Sequence, residues 1–408
     1  MKLDIPFVRS NFPAFSEPSL HGWAFFENAG GSYPCQQFVD KLTDFYLKNK
    51  VQPYYPYPAS MKAGKMMDTS YSRMAEYLNV DASEIHFGPS TTQNVYVLAN
   101  AMRPMWEDGD EIIVSCQDHE ANAGAWRRLG ERGIKVVEWH VNKTTGMLSL
   151  EDLDGLFTNR TKMVAFPHCS NVIGYFNPVK EISNMVHAHG SICVVDGVAA
   201  APHGFPDLKT LGADIYLFSL YKTYGPHLGF MYVKKDLIEK MENQSHFFKE
   251  GITKSMITPA GPDHAQIGAV SGILDYLDAV YDHHFKMPAS PSERNRAINE
   301  LFHKHEQELL ERLLEFLRSR EDLRIVGPDS SSGRAPTVSI IPLKKSVKVV
   351  YTSLLRHKLM LGMGDFYAVR PLKDMEIPRV PGVIRISFLH YTTKAEVDQL
   401  IEGLKESL

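Results

Sequence analysis

The stretch VVDGVAAAPH (194–203), followed by LFSLYKTYGPHLGFMYV (217–233), places a carboxylate and a lysine directly after two apolar runs. Each run has the length and composition of a buried strand, so Asp196 and Lys222 are predicted to lie just past two strand ends. Ligands of open α/β sheets bind beyond the carboxyl ends of the strands. The two side chains are therefore predicted to share one site.

Short apolar runs alternate with helical segments through the middle of the chain. The helical segments are predicted over Ala121–Arg132, Leu150–Leu156 and Val179–His189. Several runs are rich in Ile and Val, which suits strands buried on both faces. The alternation predicts an α/β fold with a mainly parallel central sheet covered by helices. The predicted strands are Glu84–Phe87, Glu111–Ser115, Lys135–His140, Lys162–Phe166, Ser191–Val195 and Ile215–Phe218.

The pattern changes after about Tyr281. The charged, Pro-containing stretch His283–Arg296 is predicted to be a connection, and a long helix is predicted over Ala297–Arg320. We predict a large domain over residues 1–282 and a smaller α+β domain over 283–408, with residues 1–20 packing against the small domain. The other elements predicted in the small domain are strands at Leu323–Val326, Thr337–Ile341 and Val383–Ser387, and helices at Val347–His357 and Lys394–Lys405.

The composition is that of an ordinary soluble globular protein. Of 408 residues, 44% are apolar and 23% charged, and a net charge of −4 gives no basic excess for nucleic acid or membrane surfaces. The first fifteen residues hold no continuous apolar segment, so we expect no signal peptide. Four scattered cysteines predict neither a disulfide framework nor a zinc site, and we expect no metal and a cytoplasmic location.

A possible phosphate cradle follows the strand predicted at Glu84–Phe87. Thr91 and Thr92, in GPSTTQN (88–94), precede an apolar helix predicted over Val95–Met102. Free backbone N–H groups and the helix dipole favour an anion at such a position. The alternative is a hydroxyl residue that only caps the helix.

Two other predicted strands are followed by polar side chains. His119, in CQDHEAN (116–122), could lie against a flat ring, or it could be a surface histidine. Asn171, in PHCSNVIGYFNP (167–178), could donate a hydrogen bond to a phenolate oxygen, or it could form a turn. Together with a phosphate cradle, a buried carboxylate and a lysine, these are the parts of a pyridoxal phosphate site.

The chain resembles the class V aminotransferase family, which includes the cysteine desulfurases and has the fold of type I pyridoxal phosphate enzymes. The resemblance covers nearly the whole length. Besides the two stretches that open this section, it rests on ENAGGS (27–32), STTQN (90–94), DHEAN (118–122), SNVIGYFNPV (170–179) and IRISFLHYTT (384–393).

The resemblance implies a role for each matching side chain. Lys222 would hold the cofactor as a Schiff base and remove the α-proton, Asp196 would pair with the pyridinium nitrogen, and His119 would stack on the ring; these three are the predicted catalytic residues. The predicted cofactor-binding residues are Lys222, Thr91, Thr92, His119, Asn171, Asp196, Ser219 and Tyr221. The predicted substrate-binding residues are Arg385, for the α-carboxylate, and Asn28.

The sequence departs from the desulfurase pattern at several positions. Tyr221 stands where a His precedes the lysine, and Ala199 stands where a Gln bonds near the phenolic oxygen. Pro262 matches a Thr that reaches the phosphate of the neighbouring subunit. The loop GMGDFYAVRPL (362–372) has no cysteine where desulfurases carry their nucleophile, and a persulfide mechanism needs that thiolate.

We predict a pyridoxal phosphate enzyme that acts at the Cα of an α-amino acid as a desulfurase-like C–S lyase without the loop cysteine. The alternative is an aminotransferase, with an epimerase as a third outcome. A non-catalytic partner subunit with this fold is disfavoured because Lys222 and Asp196 are both present. Asp365, Tyr367 and Arg370 could contact the substrate side chain, or they could be solvated loop residues. The resemblance implies a homodimer.

Overall fold

The computed structural model describes residues 1–261 and 263–408. Its strands are β1 Ala24–Phe25, β2 Ile85–Gly88, β3 Glu111–Ser115, β4 Lys135–Trp139, β5 Thr161–Pro167, β6 Ile192–Asp196, β7 Ile215–Ser219, β8 Gly229–Val233, β9 Leu323–Val326, β10 Thr337–Pro342, β11 Leu359–Met360, β12 Gly362–Gly364 and β13 Val383–Ser387. Its α-helices are α1 Ile5–Ser10, α2 Gln36–Lys48, α3 Pro58–Leu78, α4 Thr91–Met102, α5 Glu120–Arg127, α6 Leu150–Asp154, α7 Val179–Ala188, α8 Leu208–Leu211, α9 Lys235–Ile238, α10 Thr253–Met256, α11 His264–Ala269, α12 Ser271–His284, α13 Pro291–Arg318, α14 Val347–Arg356, α15 Val369–Asp374 and α16 Lys394–Ser407.

The large sheet has seven strands in the order β2-β8-β7-β6-β5-β3-β4. Strands β3 to β7 pair in parallel, which confirms the predicted mainly parallel sheet. Strand β8 was not predicted, and it runs antiparallel to both of its neighbours, β7 and β2. Its first residue, Gly229, therefore lies beside the carboxyl ends of those two strands, next to Ser219 and Gly88.

Helices cover both faces of this sheet. The apolar residues of β7 show why both faces must be covered. Ile215 and Leu217 are buried in the apolar cluster on one face. Tyr216 and Phe218 are buried in the cluster on the other face. Because successive side chains of a strand point to opposite faces, an uninterrupted apolar run needs cover on both sides. The functional side chains must therefore lie at the strand ends.

A smaller four-stranded sheet, in the order β12-β13-β10-β9, is antiparallel throughout and packs with α13, α14 and α16 around a separate core. This agrees with the predicted α+β part of the chain, while the boundary near residue 283 stays a prediction. The stretch His283–Arg296 is not a simple connection, because Ser290 and Glu293 form a capping box that starts α13 at Pro291. The linking segment is thus 285–290.

The N-terminal segment contacts both parts of the molecule. Arg9 donates to the carbonyl oxygen of Tyr391 at 3.0 Å and pairs with Glu396 at 2.9 Å. Phe12 packs edge-on against Tyr276 of the large core. Over the described ranges 1–261 and 263–408, no helix combines the length and the apolar character needed to span a bilayer.

Candidate active site

The first turn of α4 lies against the carboxyl end of the large sheet. The helix begins at Thr91 rather than at the predicted Val95, because the Ser90 hydroxyl accepts the Gln93 N–H at 3.2 Å and caps it. A β-carbon on Gly229 would lie 2.4 Å from the Ser90 carbonyl carbon. A glycine at this position is therefore required for β8 to approach the helix start.

A pair of hydroxyl groups connects that helix start to the end of β7. Thr91 Oγ1 and Ser219 Oγ lie 2.8 Å apart, and both side chains are buried. The N-terminal turn of a helix carries free N–H groups and partial positive charge. This turn, with its two hydroxyls, is chemically suited to an anion such as a phosphate ester.

Lys222 follows β7 in a single helical turn and is only 7% exposed. Burial, with repulsion from the Arg385 guanidinium, lowers the pKa of the Lys222 amine to about 8, although Asp196 and Glu27 act in the opposite direction. An amine with such a pKa is partly neutral near physiological pH. It can therefore act as a nucleophile or as a base.

Asp196 ends β6 and is buried beside this lysine. The Val198 N–H donates to Asp196 Oδ1 at 2.8 Å. Burial raises the pKa of the Asp196 carboxyl to about 6, against the effects of that hydrogen bond and of the Lys222 charge. A buried carboxylate with one backbone donor is a ready partner for a cationic group.

A second buried acid, Asp118, was not predicted. Its Oδ1 accepts from the Asn122 amide at 3.2 Å, and its Oδ2 has no partner. Burial and the negative charge of Asp196 raise the pKa of Asp118 well above its usual value. The signal was present in the motif DHEAN (118–122), where the acid directly precedes His119.

His119 is held as a neutral ring. It caps α5, and the Ala121 N–H donates to His119 Nδ1 at 3.0 Å, which leaves the ring proton on Nε2. Burial, with the charges of Lys222 and Arg385, lowers the pKa of His119 to about 3. A neutral imidazole in this position can stack on a flat ring without adding charge.

One cavity brings the predicted cofactor-binding residues together. Ser90, His227 and Ala199 also line it, and none of these three is among the predicted binding residues. The Tyr221 ring stacks on His227 with the ring centres 4.8 Å apart. The predicted cofactor-binding residues in the cavity wall are Lys222, Asp196, His119, Thr91, Thr92, Asn171, Ser219 and Tyr221.

The two predicted substrate-binding residues lie outside that wall. Arg385, on β13, donates to Glu27 Oε1 at 2.6 Å and to the carbonyl oxygen of Asn171 at 3.2 Å. Asn28 donates to the carbonyl oxygen of Ser387 at 3.1 Å and accepts from the Tyr391 hydroxyl. Arg385 adjoins the site because it donates to Asn171, which lines the cavity, whereas the amide of Asn28 joins the two parts of the chain.

Two hydrogen bonds and an ion pair hold the loop 362–372 over the site. The Asn171 amide donates to the carbonyl oxygen of Phe366, and the Glu120 N–H donates to that of Tyr367, both at 3.0 Å. Arg370 forms an ion pair with Glu120. Phe366 and Tyr367 both adopt left-handed backbone angles, which non-glycine residues seldom do.

The charged residues predicted to meet the substrate side chain are already paired. Asp365 accepts from Arg379 at 2.7 Å, and Arg370 is bound to Glu120. The Tyr367 ring lies 5.3 Å from the ring of His119 and is largely exposed. A substrate contact therefore remains a prediction for all three loop residues.

The four cysteines are unpaired and buried, and burial raises the pKa of each thiol to about 12. Cys169 lines the cavity. Cys116, Glu138 and His140 converge closely enough to share an ion, but Arg127 already pairs with Glu138. Pro262, predicted to replace a phosphate-binding Thr, lies outside the described residues.

Comparisons with known proteins identify the family of the chain and the fold that it shares. The family model described as Aminotransferase class-V matches residues 24–253 and 297–400. An aminotransferase-like protein of Gibberella zeae is 32% identical over 98% of this chain and 97% of its own. A cysteine desulfurase-like protein of Aspergillus flavus is 29% identical over 99% and 90%. The crystal structure of the Escherichia coli cysteine desulfurase CsdA shares the fold, with a TM-score of 0.83, 23% identity, and coverage of 100% of this chain and 99% of that one.

Proposed function

The chain belongs to the class V aminotransferase family, and we propose that it is a cysteine desulfurase-like C–S lyase acting at the Cα of an α-amino acid. Enzymes of this family, including the cysteine desulfurases among its relatives, depend on pyridoxal phosphate, so the chain is a pyridoxal phosphate enzyme. The observation that carries the proposal is the buried Lys222 amine, which shares one cavity with Asp196 and with the hydroxyl-lined start of α4.

The residues of the cavity fit that cofactor. The hydroxyls of Thr91 and Ser219 and the N–H groups of α4 would hold its phosphate. Asp196 would face the ring nitrogen, and His119 would cover the ring. Lys222 would bond to the aldehyde carbon. When bound, the cofactor supplies an electron sink for negative charge that develops at Cα.

Side chains of this protein would remove the proton, bind the substrate and exclude water. Burial lowers the pKa of the Lys222 amine, which favours the neutral form that can take a proton from Cα. Arg385 would hold the α-carboxylate, because a guanidinium offers two parallel donors. The loop held by Asn171 and Glu120 would limit the access of water to the reacting carbon.

The state of the thiols supports elimination rather than a persulfide relay. A relay needs a thiolate that attacks the substrate sulfur. All four cysteines are buried with thiol pKa values of about 12, and the loop 362–372 contains no cysteine. In elimination, Lys222 takes the proton from Cα and the thiol leaves from Cβ. Water then releases ammonia, and the products are a thiol, ammonia and a keto acid.

The second candidate is an aminotransferase, favoured by the similarity to the aminotransferase-like protein of Gibberella zeae. We also propose a homodimer, because a second copy could cover the exposed aromatic residues Tyr54, Tyr55 and Phe247. Four unpaired cysteines support a reducing, cytoplasmic location. Light scattering that gives the mass of one chain would contradict the dimer.

A panel of L-amino acids that includes cysteine and its S-conjugates tests the reaction. The cofactor-loaded enzyme should release pyruvate and a thiol in equal amounts, and Lys222→Ala should release neither. Amino transfer to an added keto acid would favour the second candidate instead. Alanine formed together with a protein-bound persulfide would contradict both.

A further inference from the structure

The arginine proposed to bind the substrate carboxylate already binds a carboxylate of the protein. Arg385 Nη2 lies 2.6 Å from Glu27 Oε1. The pair connects two distant parts of the sequence, since Glu27 follows β1 and Arg385 lies in β13. The backbone bridge between Glu27 and Ser387 brings these two elements together.

The surroundings of Glu27 leave space for its carboxylate. A β-carbon on Gly30 would lie 2.7 Å from Glu27 Oε1. A β-carbon on Gly362 would lie 2.5 Å from Glu27 Oε2. Glycines on both sides thus allow a long acidic side chain to reach the guanidinium of Arg385.

The ion pair between Arg385 and Glu27 contains only one of the two parallel hydrogen bonds that these groups can form. A guanidinium and a carboxylate can make two parallel N–H···O bonds. Here Arg385 Nε and Glu27 Oε2 are both buried and have no partner. A ligand carboxylate that engages two donors of Arg385 would therefore gain a contact that the pair with Glu27 leaves unmade.

The two partners also differ in their freedom to move. Arg385 is 3% exposed, donates to the carbonyl oxygen of Asn171, and lies 3.8 Å from the centre of the Phe366 ring. The side chain of Glu27 is 28% exposed, so it has more room to move than that of Arg385. Displacement would therefore move Glu27 and leave Arg385 in place.

We propose that Glu27 is a specificity residue that competes with the α-carboxylate of the substrate for Arg385. Every amino acid must displace Glu27, so one whose only anchor is its α-carboxylate binds weakly. A substrate whose side chain makes further contacts in the site compensates for that displacement. This inference rests on the proposed role of Arg385 and deepens it.

A pair of matched ligands isolates the effect on the cofactor-loaded enzyme. 2-Aminoisobutyrate carries an α-carboxylate but no Cα hydrogen, so Lys222 has no proton to take from it. tert-Butylamine also lacks a Cα hydrogen and carries a methyl group in place of the carboxylate. Dissociation constants come from the absorbance of the bound cofactor and, independently, from calorimetry. The variants are Glu27→Gln and Glu27→Asp, with Glu111→Gln as a matched control, since Glu111 pairs with Lys135 at the opposite end of the sheet.

The proposal predicts tighter binding after loss of the acid. Glu27→Gln should bind 2-aminoisobutyrate about tenfold more tightly than the wild type does, the ratio expected for one charge-assisted hydrogen bond. Glu27→Asp has a shorter side chain whose carboxylate should not reach Arg385. This variant should also bind 2-aminoisobutyrate more tightly than the wild type does. tert-Butylamine binding should stay the same in both variants, and Glu111→Gln should bind both ligands as the wild type does.

Weaker binding of 2-aminoisobutyrate by the Glu27 variants would overturn the proposal. If Glu27 only supports the position of Arg385, both Glu27 variants will bind 2-aminoisobutyrate more weakly, and the proposed function will stand without this inference. Equal affinity of all variants for both ligands would likewise overturn the inference alone. A wild-type protein that responds to neither ligand would overturn the proposed function together with it.

Discussion

Replacing Lys222 by Met in the cofactor-free protein should raise the free energy of unfolding near neutral pH. The lysine is buried, and the guanidinium of Arg385 repels its ammonium group. Asp196 attracts that ammonium, but the pKa of Lys222 is still lowered from 10.5 to about 8. A Met side chain of similar length fills the same space without a charge.

The lowered pKa of Lys222 sets the size of the change in the free energy of unfolding and the pH range over which it appears. Because the pKa is lower in the folded state, the unfolded chain binds more protons between about pH 8 and pH 10.5. The wild-type protein is therefore destabilised at pH 7 and loses this penalty as the pH rises to 10.5. A shift of about 2.5 units corresponds to about 3 kcal/mol.

Urea unfolding at pH 7 and at pH 10.5 measures the effect. Lys222→Met should unfold at higher urea than the wild type at pH 7, and the difference should shrink towards zero at pH 10.5. Lys180→Met, which alters an exposed lysine on α7, is the matched control and should change little at either pH. A Lys222→Met protein that is less stable than the wild type at pH 7 would refute the electrostatic reasoning.

Three further substitutions test other parts of the site. Asp196→Asn should weaken retention of the cofactor at least about tenfold in equilibrium dialysis, because a neutral amide offers no charge to the ring nitrogen; unchanged retention would contradict this role. Thr91→Val, which removes a hydroxyl that contacts Ser219, should weaken binding of pyridoxal phosphate but not of pyridoxal; equal weakening would argue against phosphate contact. Gly229→Ala should lower the free energy of unfolding by about 1–3 kcal/mol in urea, because its methyl group meets the Ser90 backbone at 2.4 Å; an unchanged value would show that β8 can shift.

Much of the fold could be predicted from local patterns. Glu111–Ser115, Leu323–Val326 and Val383–Ser387 begin and end at the predicted residues, because each combines apolar character with strand length. The start of α4 was placed four residues late, since the capping hydrogen bond of Ser90 is not visible in apolar periodicity. Strand β8 was missed within a motif that had been considered only for its lysine.

For the candidate site too, local sequence patterns could predict some residues and not others. Side chains just past strand ends, such as Asp196 and Lys222, were predictable because parallel strands present their carboxyl ends at one edge. The pairing of Glu27 with Arg385 was not, because it joins residues 358 positions apart in sequence. The pairing of β12 with β13 and the bridge between Glu27 and Ser387 bring them together.

Reduction of the cofactor-loaded protein with borohydride, followed by peptide mass mapping, tests the central claim most directly. Reduction makes the bond between a lysine and pyridoxal phosphate permanent. The mass of the reduced cofactor is expected on the peptide that contains Lys222, and Lys222→Ala should carry none at that position. An adduct on a different lysine of the wild-type protein, or no adduct at all, would contradict the assignment of Lys222.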